Sequence, residues 1–358
     1  MTLRALLDGL SIPILQAPMV GASSPEMALA VSRVGGLGSL GAGAMAPDAI
    51  GPAIDAFRGQ TEAPFGVNLL MAPPASPDAE VIDKALDRLA PWYAALGEPL
   101  PGHPNSFAPD FDAQLDALVV ARPPIASFTF GLLSREQVER LRAAGTYVVG
   151  TATNVAEARA WAEVGADGIC AQGFEAGGHR GHFLAELDAS LVGTMALTAL
   201  ILDAVDLPVI AAGGIMDGRG VAAALALGAS AAQLGTAFLL SDQTAVSEPW
   251  RRAIMEAGDE PTRLTRAFTG RYARGIENRF MREMRESERD APAYPVQNRL
   301  TQPLRAAAAK VGEPDMISLW AGQAVRLAEP GDAGEMIKTW WAQAGEAAER
   351  LSARTRRL

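Results

Sequence analysis

Eight short apolar runs recur along the chain, at residues 12–18, 36–41, 65–70, 124–131, 146–152, 167–173, 208–214 and 231–237. They read IPILQAP, GLGSLG, FGVNLL, PIASFTFG, TYVVGTA, DGICAQG, PVIAAGG and AAQLGTA. Between them lie segments such as PEMALAVSRVG, REQVERLRAAG, VAEARAWAEVG and GRGVAAALALG, with apolar positions at helical spacing and a closing glycine. Glycine is the common residue just past a helix end. The strand runs are continuously apolar, not alternating, which predicts a parallel sheet covered on both faces. Eight strand–helix repeats predict a closed (β/α)8 TIM barrel, with a doubly wound open sheet as the alternative.

Two segments interrupt this rhythm. Residues 72–123 hold APPASP and GEPLPGHPNSFAPDFD, a proline-marked insertion before the fourth run. Residues 241–305, with RRAIMEAGDE and RFMREMRESERD, follow the eighth run and read as a smaller, mostly helical lid or substrate domain. The predicted organisation is therefore a barrel from 1–240 and 306–330, a helical domain from 241–305, and a C-terminal helix from 331–358. Within the return to the barrel, ISLWAGQAVRLA (317–328) reads as a helix.

Composition narrows the function classes. Hydrophobic residues make up 49% of the 358 positions, enough for a sizeable core, and the formal net charge of -10 predicts no broad basic face for nucleic acid. One cysteine excludes an internal disulfide framework and a cysteine-based metal site. No apolar run reaches the roughly 18 residues of a membrane span, and the N-terminal stretch lacks a signal-peptide layout. A cytoplasmic enzyme, monomeric or homodimeric, is the expectation.

Barrel enzymes place their chemistry at the C-terminal ends of the strands. Those positions hold Ala17, Pro18 and Met19 after the first run, Asn68 in the third, Ser127 in the fourth, and Gln172 through His179 after the sixth. Gly213 and Gly214 end the seventh run, and Gly235 and Thr236 end the eighth. The glycines and the helix start near Gly218 suit a phosphate held by backbone N–H groups, although tight strand-to-helix turns also need glycine. No GxxxxGK[ST] or opening GxGxxG is present. In GFEAGGHRG (173–181), His179 follows Gly177 and Gly178, which would let a flat ring approach. It reads either as a hydrogen-bonding loop residue or as a base with a pKa near neutrality. Glu175 reads either as a partner of His179 or as a capping or salt-bridging residue, and Arg180 as a group that orients an anionic substrate or pairs with Glu175. His182 is a spare beside Phe183, His103 reads as surface, and Cys170 reads as a buried, inert thiol.

Together, PILQAPMVGASSPEMALAVSRVGGLGSLGAG, FGVNLL, GADGICAQGFEAGGHRG, PVIAAGGIMDGRGVAAALALGASAAQLGTAFL and SLWAGQAVRLA resemble the nitronate monooxygenases, formerly 2-nitropropane dioxygenases, and most closely class I. The resemblance implies an FMN-dependent barrel that oxidises alkyl nitronates, such as propionate 3-nitronate, with O2 to a carbonyl compound and nitrite. It implies a flavin phosphate on Gly213, Gly214, Gln233, Leu234, Gly235 and Thr236. Around the isoalloxazine it implies Ala17, Pro18, Met19, Asn68, Gln172, Gly177 and Gly178. His179 is then the catalytic base, with Ser127 and Tyr294 toward the substrate and no metal. Where some members carry a further tyrosine and lysine, this chain has Asn298 and Gln302. An NAD(P)H-dependent flavin reductase, of the FabK enoyl reductase or quinone reductase type, is the alternative on the same scaffold.

Overall fold

In the computed structural model, which describes residues 2–356, all eight apolar runs become parallel strands. In chain order the strands are β1 (Ile14–Gln16), β2 (Gly38–Gly41), β3 (Phe65–Leu70), β4 (Ile125–Thr129), β5 (Tyr147–Ala152), β6 (Gly168–Gln172), β7 (Gly178–His179), β8 (Val209–Ala212), β9 (Ala231–Leu234), β10 (Thr262–Thr265) and β11 (Ala273–Ile276). The helices are α1 (Leu3–Asp8), α2 (Pro25–Arg33), α3 (Pro47–Arg58), α4 (Ala79–Ala95), α5 (Phe111–Ala121), α6 (Arg135–Ala143), α7 (Val155–Glu163), α8 (Thr194–Ala204), α9 (Gly218–Ala226), α10 (Glu248–Met255), α11 (Arg279–Glu283), α12 (Val296–Val311) and α13 (Ala333–Thr355).

The large sheet runs β1-β9-β8-β6-β5-β4-β3-β2. It closes where Leu15 bridges Leu37 in parallel and Gln16 donates its backbone N–H to the Leu37 carbonyl at 2.9 Å. The result is a (β/α)8 barrel, not an open doubly wound sheet. Leu15, Leu37, Ile125, Val149, Cys170, Ile210 and Ala231 cluster inside it with Leu3, Leu6 and Leu7 of α1, which plug the N-terminal end. Outside, helix-to-strand contact is close. A Cβ on Gly150 of β5 would lie 2.0 Å from the Trp161 ring of α7, and the Trp161 indole donates to the Thr151 carbonyl at 3.1 Å. The C-terminal helix expected from 331–358 is α13, which packs against α2 and α9.

A second apolar cluster lies apart from the barrel walls. It joins Ile82, Leu89 and Trp92 of α4 to Phe268, Phe280, Leu300, Leu304, Leu319 and Val325. The proline-marked insertion thus contributes α4 to this unit, while α5 returns to the barrel against α3. The boundary expected at 305/306 is not visible in the packing. Helix α12 runs through it, and Ala308, Met316, Ile317 and Leu319 stay in the second cluster.

Residues 241–305 also differ from a purely helical segment. Besides α10 and α11 they hold β10 and β11, an antiparallel pair, and β11 pairs in turn with β7 in the sixth barrel loop. Nor is 317–328 a helix. Its backbone is extended through Leu319, whose carbonyl accepts from Ile276 at 2.9 Å, and only Val325–Leu327 forms a short 3-10 turn. Pairing with the edge of β11 outweighs the local helical pattern, as tertiary contact commonly does. Among the described residues no helix is long and apolar enough to cross a membrane.

Candidate active site

At the C-terminal mouth of the barrel lies a cavity of about 310 Å³, roofed by the second unit. Ala17, Pro18, Met19, Asn68, Ser127, Gln172, Gly177, Gly178, His179, Gly213, Gly214, Gln233, Gly235, Thr236 and Tyr294 all line it. Leu234 is a correction to the expected set. Its side chain is fully buried in the layer between barrel and helices with Ile14 and Phe238, because consecutive strand residues face opposite sides. Only its carbonyl faces the first loop, accepting from the Ala17 N–H at 2.8 Å.

The loop after β6 is held from several directions. Gln172 donates through Nε2 to the His179 carbonyl at 2.9 Å and accepts the Gly181 N–H at 2.8 Å, so its amide fixes the loop. Glu175 and Arg180 do not pair with each other. Glu175 accepts from the N–H and hydroxyl of Thr194 at the start of α8 (2.9 and 2.8 Å). Arg180 is fully buried and donates to the carbonyls of Gly173, Gln172 and Ser190 at 2.7, 3.1 and 2.7 Å. Glu157 of α7 takes the N–H groups of Phe183 and Leu184 at 2.6 and 3.2 Å. These buried charges keep the loop in one shape.

His179 sits in β7 opposite Ala273 of β11. Its ring is enclosed by Phe130, Tyr294 and Trp320, with centroids at 5.4, 5.7 and 5.7 Å. Nε2 lies 2.9 Å from the Thr269 hydroxyl. The near-neutral pKa expected from the sequence is corrected: burial, reinforced by the Arg271 and Arg305 guanidinium groups, pushes His179 down to about 3. The imidazole is therefore neutral near pH 7. Arg271 lies over the Phe130 ring at 4.3 Å and donates to the carbonyls of Arg180 and His182. Arg305 lines the cavity and donates to the carbonyl and amide oxygens of Asn298 at 3.0 and 2.8 Å. These partners are neutral, so the guanidinium groups leave positive potential for an anion.

Trp320, Arg305, Phe130, Thr269 and Arg271 were not singled out by the sequence reading. Trp320 lies inside the SLWAGQAVRLA motif, which marked it indirectly. Phe130 has φ of 86°, a strained value for a non-glycine residue at a cavity wall. Thr269, Arg271 and Arg305 are brought in by the second unit, with no local pattern to announce them. His103 is an exposed partner of Asp83 at 2.7 Å. Cys170 borders the cavity, but burial pushes its thiol up to about 12, so it stays protonated and is a poor nucleophile.

The residues present fit a phosphate-bearing flavin, with one change to the expected cradle. The first N–H groups of α9 are already taken: Gly218 donates to Gln343 at 3.1 Å, and Arg219 and Gly220 donate to Asp217. Among the described residues, the N–H groups of Gly214, Gly235 and Thr236 have no acceptor within the protein. Gly213 and Gly214 turn the chain there at φ of 119° and 67°. Free N–H groups beside positive-φ glycines form an anion cradle.

Two histidines carry a consequence for pH. Burial lowers His182 as well, to about 4. Both are depressed from 6.5, so below that pH the unfolded chain binds protons that the folded one refuses. Stability is therefore complete above the unfolded value and falls as pH drops toward the folded values. Urea midpoints measured across this window should decline with acidity, and His179→Asn should flatten the decline. An unchanged slope would contradict the buried neutral imidazole.

The nitronate monooxygenase family model matches residues 4–342. A probable nitronate monooxygenase of Staphylococcus aureus (strain Newman) is 44% identical over 317 residues, covering 88% of this chain and 89% of the relative. A solved nitroalkane oxidase from Streptomyces ansochromogenes superposes with a TM-score of 0.89 at 44% identity, covering 97% of this chain and 99% of that one. FabK from Thermotoga maritima superposes with a TM-score of 0.76 at 30% identity, covering 99% of each chain.

Proposed function

Since the chain belongs to the nitronate monooxygenase family, we propose that it uses FMN to oxidise alkyl nitronates, such as propionate 3-nitronate, with O2 to a carbonyl compound and nitrite. The observation that carries this reading is His179, a neutral imidazole in an aromatic enclosure on a cavity that Arg305 lines, with Arg271 behind the Phe130 wall. When bound at the glycine loops, FMN would supply the redox chemistry that couples substrate oxidation to O2. The protein's own groups do the rest. Gly214, Gly235 and Thr236 offer N–H donors to the phosphate, and the loop through Gly177 and Gly178 forms one wall of the cavity.

The two guanidinium groups attract the nitronate anion and oppose a positive imidazole while the cavity holds no anion. When a neutral nitroalkane enters, His179 takes a proton from its α-carbon. The positive potential of Arg305 at the cavity and of Arg271 beside it favours the negative charge that appears on the nitro group, which offsets the cost of the imidazolium. Phe130, Tyr294 and Trp320 keep water from the ring and fix its plane.

Anaerobic mixing distinguishes this activity from the reductase alternative. Propionate 3-nitronate is expected to bleach the flavin absorbance within the mixing experiment, and NADH or NADPH to bleach it far more slowly. Fast bleaching by a nicotinamide and none by the nitronate would overturn the proposal in favour of a FabK-like reductase.

A further inference from the structure

His179 has one ring nitrogen tied to the protein. Nε2 lies 2.9 Å from Oγ1 of Thr269. That hydroxyl carries a single proton and has two other neighbours, the carbonyl oxygen of Arg271 at 3.0 Å and the N–H of the same residue at 3.4 Å. The carbonyl can only accept. Were the hydroxyl proton turned toward Nε2, two oxygens 3.0 Å apart would face each other lone pair to lone pair, on a side chain that is 1% exposed. The hydroxyl therefore donates to the Arg271 carbonyl, and its lone pairs face the Arg271 N–H and Nε2. A neutral imidazole that meets an acceptor at Nε2 carries its hydrogen there and its lone pair on Nδ1.

We infer that Thr269 sets the tautomer of His179 and leaves Nδ1 as the atom that receives the substrate proton. Thr269 is a positioning residue: it acts through the imidazole. The turn that presents it has little freedom. Gly270 has φ of 78°, and a Cβ there would lie 2.0 Å from the Pro292 carbonyl oxygen. Four residues beyond Thr269, Ala273 pairs with His179 across β11 and β7. The barrel supplies the imidazole and the second unit supplies the group that orients its proton, so the base is complete only when the two are docked. The role of Nδ1 toward substrate rests on the proposed nitronate chemistry; the tautomer does not.

The chain has only 3 histidines, so nitrogen NMR of the flavin-loaded protein with ¹⁵N-labelled histidine resolves His179, with His179→Asn as the assignment control. The expected wild-type signature is a protonated Nε2 and an unprotonated Nδ1. Thr269→Val keeps the shape but removes the acceptor, and both nitrogens should move to averaged positions. In that variant kcat/KM for a neutral nitroalkane should fall on the order of tenfold or more, as for a general base in the wrong tautomer. Turnover of a preformed nitronate, which needs no proton abstraction, should change far less. Thr269→Ser should restore both the spectrum and the rate. A wild-type proton on Nδ1 would overturn the inference, as would an unchanged tautomer in Thr269→Val. If Thr269→Val folds poorly, the wild-type tautomer and the Thr269→Ser rescue still decide it. A wild-type protein with the expected tautomer but no nitronate oxidation would sink the proposed function and leave this assignment standing.

Discussion

Replacing His179 by asparagine is expected to lower kcat/KM for a neutral nitroalkane by about 10²–10⁴-fold, the usual contribution of a positioned general base. Asparagine is short enough for the enclosure formed by Phe130, Tyr294 and Trp320, and its amide ends short of the position of Nε2. It cannot take a proton from carbon. Flavin content and melting temperature should stay close to wild type, because the loop is held by Gln172, Glu175, Arg180 and Glu157 and not by the imidazole. A preformed nitronate should suffer a smaller loss. Oxygen consumption with matched nitroalkane and nitronate is the measurement. Equal rates for wild type and variant, with flavin retained, would remove His179 from the chemistry and with it the central step of the proposed function.

Gly177→Val should have the other large effect, on binding and stability. A Cβ on Gly177 would lie 2.5 Å from both the Ala321 carbonyl carbon and the Gly322 nitrogen, backbone atoms that cannot rotate away. The 318–323 segment crosses the sixth barrel loop at this point, where Gln323 donates to the Glu175 carbonyl at 3.0 Å. Forcing the two chains apart costs about 1–3 kcal/mol by the usual scale of overpacking. It also displaces the wall that faces the flavin. The variant should purify with little or no flavin absorbance and unfold at lower urea. Gly178→Ala is the control. A Cβ there meets nothing within 4 Å, and the positive φ of 73° leaves only backbone strain, about 1–2 kcal/mol. It should keep its flavin. Normal flavin content in Gly177→Val would show that the crossing is not tight in solution.

Much of the fold was readable along the chain because each strand and helix carries its own periodic signature. Glycine-closed helices and continuously apolar strands need no distant partner to be recognised. The same holds for the strand-end residues, since a closed parallel barrel puts every strand C-terminus at one mouth. That is why Asn68, Ser127, Gln172, Gly213 and Thr236 line one cavity although they span much of the chain. The second unit was less legible. β10 and β11 are short, four residues each, and lie among charged helical segments whose local pattern masks them. The stretch 317–328 has helical spacing, yet it is drawn out by pairing with β11.

For the motif around His179, the amino-acid order determined the position: a loop at the open face, with glycines beside the ring. The roles of the neighbouring charges came only from tertiary structure. Glu175 and Arg180, four residues before and one after the histidine, turn away from it to bond Thr194 and three carbonyls. Thr269, 90 residues further along the chain, and Arg271 and Arg305 beyond it are the groups that set its charge and its proton. The physical reason is the range of the forces. Strand and helix patterns record local backbone geometry, whereas a pKa and a tautomer depend on burial and on whichever donors and charges folding brings within a few ångströms.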